Sequence, residues 1–452
     1  LKPKQHMPDR EARSPWSKNN DKATVEVMPP GKPVEGTLRL SGSKSLTNRA
    51  LITAALAEGT SRLEGILKSD DSYWCMNSLT KLGIRVHLVG ETVWVEGCAG
   101  SWPMSSGDLY VGSAGTVARF LPGALAIGRG RWNLTGSKRM SERPLLPLLD
   151  ALSKLGARIE DKKVNRTLPF AIETSGLRGG DISLPGSTSS QFISGLLLAA
   201  PYTKEPLTIF IDGGIVQRDY VEMTLEMMRT FGIHAQFSDD GHSISIHTGK
   251  YQAQSIQLEP DVSTCCYFWS IAAMTGGRIR IEGIRAATRQ PDIEFLTVLE
   301  RMGCRVIRGD HFIEVAGSRQ LRGGFTLSMQ KWSDQTLTIA AMAVFADGPV
   351  TLTDAAHIRQ HECDRIAAIC SELRKLGIHV EEHYDGLTVY PGRPEPALLD
   401  SHDDHRMAMA LSLIGLRAEG IRIMDPGCVS KTCPDYFERL SDLGIPIEIY
   451  AK

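Results

Sequence analysis

The sequence predicts an α/β (α+β) protein of two similar domains, each built from three β-α-β-α-β-β repeat units, and three observations carry that expectation. Its 452 residues exceed the size at which one hydrophobic core stops growing. A short signature recurs six times: KLGIRV at Gly83, KLGARI at Gly156, TFGIHA at Gly232, RMGCRV at Gly303, KLGIHV at Gly377 and DLGIPI at Gly444, spaced by 73, 76, 71, 74 and 67 residues. Upstream of each signature lies a further helical segment rich in alanine and leucine, so six copies of one unit follow, grouped as two domains of three.

Each signature closes an amphipathic helical pattern on a glycine, where a left-handed C-cap costs least, and an alternating strand pattern follows. The upstream helices read SKSLTNRALITAALAEG, SAGTVARFLPGALAIG, SSQFISGLLLAAP, STCCYFWSIAAMTGG, SDQTLTIAAMAVFADG and DHRMAMALSLIGLRAEG. They are small and apolar along their length, which predicts buried flanks, and every one opens on polar residues. Short β-like runs such as TVWVEG, FIEVAG and LTVYPG fill the remaining positions.

Composition narrows the function. With 42% hydrophobic and 23% charged residues the chain is an ordinary globular protein, and a formal charge of −1 argues against a general nucleic-acid binder. The nine cysteines form no C-x-x-C pair and read as free thiols of a reducing compartment. No apolar run approaches the ~20 residues needed to span a bilayer, so a cytoplasmic protein is expected. The opening stretch, residues 1–22, mixes both charge signs without periodicity and reads as an unstructured tail.

The polar helix starts are the candidate site. A helix N-terminus carries unpaired N–H groups and about half a positive charge, which suits an anion. Ser, Thr and Asp at such positions are equally well explained as N-caps, worth ~1 kcal/mol each. Capping does not explain Lys44, Arg49, Arg119, Arg143, Arg365 and Arg406, because cations near helix starts oppose the macrodipole. Something anionic must compensate them. A nucleotide P-loop is excluded by spacing, since Ser43 separates Gly42 from Lys44. Metal is disfavoured as well: HECDR lacks the second histidine of H-E-x-x-H, and the adjacent residues His402, Asp403, Asp404 and His405 diverge on a helix.

Seven segments in order, SGSKSLTNRAL, GSAGTVARF, KRMSERP, STSSQF, HECDR, DHRMAMA and SKTCPDYF, resemble the 5-enolpyruvylshikimate-3-phosphate synthase family from about residue 25 to the C-terminus. The resemblance implies an enolpyruvyl transferase-like fold with the substrate cleft between two domains. A double crossover near Leu40 and Glu259 would divide residues 23–40 plus 259–452, carrying phosphoenolpyruvate and catalytic carboxylate residues, from residues 41–258, carrying shikimate 3-phosphate residues. It implies transfer of an enolpyruvyl group from phosphoenolpyruvate to the 5-hydroxyl of shikimate 3-phosphate, with no cofactor and no metal. The expected partners are these two small molecules, with no nucleic acid or membrane, in a monomer.

Carried over by motif, Lys44, Ser45, Arg49, Ser189, Ser190, Gln191, Tyr220, Asp334 and His361 would bind shikimate 3-phosphate. Lys44, Gly115, Arg143, Gln191, Arg365, Arg406 and Lys431 would bind phosphoenolpyruvate. Asp334, Glu362 and Lys44 are the catalytic candidates. The chain departs from the commonest family pattern at His361, which stands where a lysine usually precedes the glutamate, and at His357, Gln217, Ser113 and Phe120, which replace asparagine, serine, asparagine and proline. A related enolpyruvyl transferase acting on a UDP-amino sugar carries a reactive loop cysteine, and residues 112–140 contain none. A non-enzymatic scaffold of degenerate repeats is disfavoured by retention of Lys44, Asp334, Glu362 and Arg406.

Overall fold

A computed structural model describes residues 8–161 and 166–451. The chain divides into two compact units: a terminal unit, Leu1–Leu40 with Pro260–Lys452, and a middle unit, Ser41–Glu259. Glu259 falls in the middle unit, where its carbonyl accepts the Ser43 N–H at 2.8 Å.

Twelve α-helices are described: α1 Lys44–Leu56, α2 Asp70–Lys81, α3 Gly115–Ala126, α4 Leu146–Lys154, α5 Ser190–Ala199, α6 Asp219–Thr230, α7 Val262–Thr275, α8 Phe295–Arg301, α9 Thr336–Ala343, α10 Arg365–Lys375, α11 His405–Gly415 and α12 Tyr436–Asp442. The even-numbered helices end on the repeated glycines, and Gly83, Gly156, Gly232, Gly303, Gly377 and Gly444 all have positive φ. A side chain is disfavoured there, which explains the recurrence of glycine.

Every described sheet has four strands. In a regular repeat the first two strands, such as Ser106–Tyr110 and Arg129–Thr135, pair in parallel, and the last, Phe170–Ser175, inserts antiparallel between the second and the third, Arg158–Asp161. Alternation fills the core face: in Thr92–Glu96, Val93 and Val95 are buried. Two repeats exchange their first strands. Glu35–Arg39 precedes α1 in sequence yet pairs with Arg278–Glu282 in the terminal unit, and Ser255–Gln257 precedes α7 yet pairs with Thr60–Glu64 in the middle unit. The sixth repeat borrows its last strand from the start of the chain: Lys22–Val27 lies between Ile421–Met424 and Ile447–Ala451, antiparallel to both.

The odd-numbered helices form the interior. All eight residues of α9 are buried, and α7 is buried from Val262 to Met274 except at Ser263. Each fully buried Leu, Ile or Val side chain there contributes about 1.5–3 kcal/mol. In the middle unit α1, α3 and α5 pack on one another, and in the terminal unit α7, α9 and α11 do the same. Small residues set the closeness: a Cβ on Gly195 would lie 2.1 Å from the carbonyl oxygen of Arg119, and one on Gly123 would lie 2.5 Å from that of Gly195. This backbone-to-backbone approach of α3 and α5 draws their first turns together.

The expectation of a structureless tail fails within the described residues. Residues 1–7 lie outside them, but from Pro8 onward the chain runs along the terminal unit, with Ala12, Arg13, Ser14 and Asn19 buried. Arg13 pairs with Asp403 and Asp425, contacts with partners about 400 residues away, which local periodicity cannot register.

Candidate active site

In the middle unit the starts of the inner helices carry most of the predicted groups, while Arg143 follows the 3-10 turn Met140–Glu142 and Tyr220 lies on α6. Ser43 caps α1, so Lys44 and Ser45 open that helix and Arg49 lies one turn on. Ser189 caps α5 through the Gln191 N–H at 3.2 Å, so the capping reading holds at a residue that is also a site candidate. Ser190 is buried at the start of α5, and Lys44 Nζ lies 3.9 Å from buried Asp71.

Arg49 is 1% exposed, and among the described residues its partners are all uncharged oxygens. Nε donates to Thr224 Oγ1 at 2.8 Å, Nη1 to the Ser45 carbonyl at 3.0 Å, and Nη2 to the Tyr220 carbonyl at 2.9 Å. The guanidinium stands over the Phe120 ring at 5.0 Å and the Tyr220 ring at 5.9 Å, so Phe120, one of the departures, supplies its apolar floor. Burial pulls its pKa down to about 10. A desolvated cation without a carboxylate is the local demand for an anion.

Beside it, Gly115 opens α3 where no side chain fits unchanged. A Cβ would lie 2.8 Å from Arg143 Nη1 and 2.9 Å from Arg119 Nη1. Arg119 in turn donates to the Gly115 carbonyl at 3.0 Å and to Gln191 Oε1 at 3.2 Å. Gly115, Arg143 and Gln191 are therefore brought together around Arg119, a residue whose helix-start charge singled it out but which no substrate assignment included.

The terminal unit assembles the other set. Arg365 is 1% exposed and its donors are shared among carboxylates. Nη1 donates to Asp334 at 2.9 Å, Nη2 to Glu362 at 2.8 Å, and Nε to Asp404 at 2.7 Å, with His361 Nδ1 3.1 Å from Nη1. Arg406 bonds the second Asp334 oxygen at 2.9 Å, and Lys431 reaches the second Glu362 oxygen at 2.8 Å. Burial alone would lower the Arg365 pKa, but Asp404, Glu362 and Asp334 outweigh it and hold the guanidinium above its ordinary value. All six predicted groups, Asp334, His361, Glu362, Arg365, Arg406 and Lys431, thus form one network.

Three residues outside the substrate and catalytic candidates support this network. Asp404 caps α11 through the Arg406 N–H at 2.9 Å while anchoring Arg365. Its signal is an acid directly before His-Arg at a helix start, a pattern that the sequence offers as a carboxylate paired with an anion site more readily than as a metal ligand. Asp292 accepts from Gln335 Nε2 at 2.7 Å and from the Ser263 hydroxyl, tying down the 3-10 turn Ser333–Gln335 that carries Asp334. Burial, then the charge of Asp334, pushes the Asp292 pKa up to about 6. His357 Nε2 lies 2.7 Å from Ser333 Oγ, on the same turn.

This double set, cations at helix starts in one unit and a carboxylate–guanidinium–ammonium network in the other, can bind anions and exchange protons. A family model described as EPSP synthase (3-phosphoshikimate 1-carboxyvinyltransferase) matches residues 28–440. The chain belongs to the EPSP synthase family. It is 52% identical to a protein of Halalkalibacterium halodurans named 3-phosphoshikimate 1-carboxyvinyltransferase 2, over 97% of this chain and 98% of that one. A 3-phosphoshikimate 1-carboxyvinyltransferase of Nostoc punctiforme is 41% identical over 92% of this chain and 98% of its own. The solved EPSP synthase of Acinetobacter baumannii aligns with a TM-score of 0.79 at 28% identity, covering 94% of this chain and 99% of that one. The EPSP synthase match begins after residues 8–21, the segment that carries Arg13. Among the described residues no helix is long and apolar enough to cross a membrane.

Proposed function

We propose that this chain transfers the enolpyruvyl group of phosphoenolpyruvate to the 5-hydroxyl of shikimate 3-phosphate and releases inorganic phosphate. Membership of the EPSP synthase family supports the reaction, and the observation that carries it at the level of residues is Arg365 held between Asp334, Glu362 and Asp404.

Lys44, Ser45, Arg49, Ser189, Ser190, Gln191, Tyr220, Asp334 and His361 are assigned to shikimate 3-phosphate. Lys44, Gly115, Arg143, Gln191, Arg365, Arg406 and Lys431 are assigned to phosphoenolpyruvate, whose carboxylate and phosphate match paired guanidinium groups. In the addition step the hydroxyl oxygen bonds C2, its proton passes to Asp334, and C3 gains a proton from Lys44 or Glu362. In the elimination step C3 returns that proton, the C2–O bond to phosphate breaks, and the double bond re-forms. The cations stabilise the departing phosphate, a preorganised effect commonly worth ~3–4 kcal/mol per donor.

The test is phosphate release from phosphoenolpyruvate with shikimate 3-phosphate or a UDP-amino sugar as acceptor. Turnover with the first acceptor is expected, and its absence overturns the proposal.

A further inference from the structure

Residues 8–21 precede the stretch that the family model matches, yet they are anchored in the terminal unit. Arg13 is the centre of that anchoring. Its side chain is 4% exposed; Nη1 donates to Asp425 Oδ1 at 2.8 Å and Nη2 to Asp403 Oδ1 at 2.8 Å, with a further contact from Nη2 to Asp425. The Asp9 N–H adds a bond to Asp403 Oδ2 at 3.0 Å, and Ser17 Oγ one to the Gly427 carbonyl at 3.3 Å.

The two acids sit on the two loops that deliver site cations. Asp403 precedes Asp404, His405 and Arg406 at the start of α11, and Asp425 precedes the 3-10 turn Pro426–Lys431, whose last residue is Lys431. Both loops are bent through backbone conformations that favour glycine: φ is 54° at His402, 53° at Asp403 and 56° at Asp425. Non-glycine residues persist there only where surroundings hold them. Buried Glu372 grips the first loop from another side, accepting the Asp400 N–H at 2.9 Å and lying 2.9 Å from His402 Nε2. Among the described residues, the Arg13 fork bonds both acids and so ties them to one another. The fit is close as well: a Cβ on Gly427 would lie 2.6 Å from Arg13 Nη1, 2.8 Å from the Asn19 carbonyl oxygen and 2.9 Å from Asn20 Cα.

We propose that residues 8–21 form a strap in which Arg13, as a positioning residue, locks the Asp403 and Asp425 loops together and thereby sets the spacing of Arg406 and Lys431. The consequence for activity rests on the reaction proposed above, in which these two cations hold phosphoenolpyruvate. A planar fork can bridge two carboxylates at once, whereas an ammonium group on a flexible stem is a point charge. Arg13→Lys therefore keeps a buried cation, and with it the fold, but loses the bridge.

The experiment compares the full chain with Arg13→Lys, Gly427→Ala, deletion of residues 1–20, and Gly427→Ala within that deletion. Arg13→Lys and Gly427→Ala are each expected to raise the phosphoenolpyruvate KM by roughly tenfold while the shikimate 3-phosphate KM stays within about twofold. A purely structural cap would lower the active fraction, and so kcat, and leave both KM values alone. In the deletion background Gly427→Ala is expected to add nothing, because the atoms it strikes are gone. Phosphoenolpyruvate KM within about twofold of the parent in both point variants, or an undiminished Gly427→Ala effect after deletion, overturns the strap. Amide exchange of residues 400–406 and 426–431 needs no turnover. Faster exchange in Arg13→Lys supports the strap and unchanged exchange overturns it, even if the parent chain fails to release phosphate and the proposed reaction falls.

Discussion

Asp334 accepts from Arg365 at 2.9 Å on an oxygen that also lies 3.9 Å from His361 Nδ1, while its other oxygen accepts from Arg406. The carboxylate is thus aimed by cations on α10 and α11, with the Ser333–Gln335 turn fixed beneath it by Asp292. A proton acceptor so constrained contributes through orientation as well as basicity. Asp334→Ala is expected to lower kcat by at least about tenfold with substrate KM values changed far less, measured as steady-state phosphate release. A smaller loss would remove Asp334 from the proton-transfer role.

Glu362 is divided between Arg365 and Lys431, so one carboxylate touches two groups assigned to phosphoenolpyruvate. Glu362→Gln keeps the shape and an acceptor oxygen but removes the titrating group. A drop in kcat of at least about tenfold, with phosphoenolpyruvate binding by calorimetry largely retained, is the expected outcome. Loss of binding without loss of kcat would instead make Glu362 a holder of Lys431.

Much of this arrangement was legible in the sequence because it is local. Six glycines at repeated spacings marked six left-handed helix ends, and uncompensated cations at polar helix starts marked the candidate anion site. What stayed hidden is non-local. The exchange of first strands pairs Glu35–Arg39 with Arg278–Glu282, and nothing in either segment's alternation names its partner. Arg13 looked like one charge in a patternless tail because its acids lie 390 and 412 residues away. Asp292 carries no pattern in its own segment that points to a site, although its carboxylate secures the turn that bears Asp334.

Arg49 and Arg365 are both almost wholly buried, yet among the described residues only Arg365 of the two has carboxylate partners. A charge desolvated against neutral oxygens opposes folding unless an anion offsets it. Arg49→Met should therefore leave the melting temperature equal to or above that of the parent. The same change should raise the shikimate 3-phosphate KM by at least about tenfold, the cost of a lost charge-assisted bond. A clear fall in melting temperature would show that Arg49 is there for stability.

His357 is drawn below the ordinary value of 6.5, by burial first and by Arg365 in addition. A depressed pKa in the folded state means that the unfolded chain binds the extra proton more readily. The stabilisation is present above 6.5 and is lost as pH falls through the folded value. The melting temperature should then drop between about pH 7 and pH 5 more steeply in the parent than in His357→Asn. Asparagine can still bond Ser333, so equal slopes would assign the acid sensitivity elsewhere.

Gly115 is the position where a single methyl group tests the anion site most directly. Its φ is not in the left-handed region, so alanine is free of backbone strain and gains helix propensity at the start of α3. The atoms that the methyl meets are the ends of Arg143 and Arg119, at 2.8 and 2.9 Å, and such ends move at little cost to the fold. Stability should be unchanged or slightly raised. The guanidinium groups cannot keep their positions, however, and a shift of about 1 Å in a charge clamp is enough to cost tenfold or more. Gly115→Ala should raise the phosphoenolpyruvate KM by roughly tenfold and leave that of shikimate 3-phosphate within about twofold. If both KM values rise together, Arg143 and Arg119 serve shikimate 3-phosphate as well, and the division of ligands between them must be redrawn.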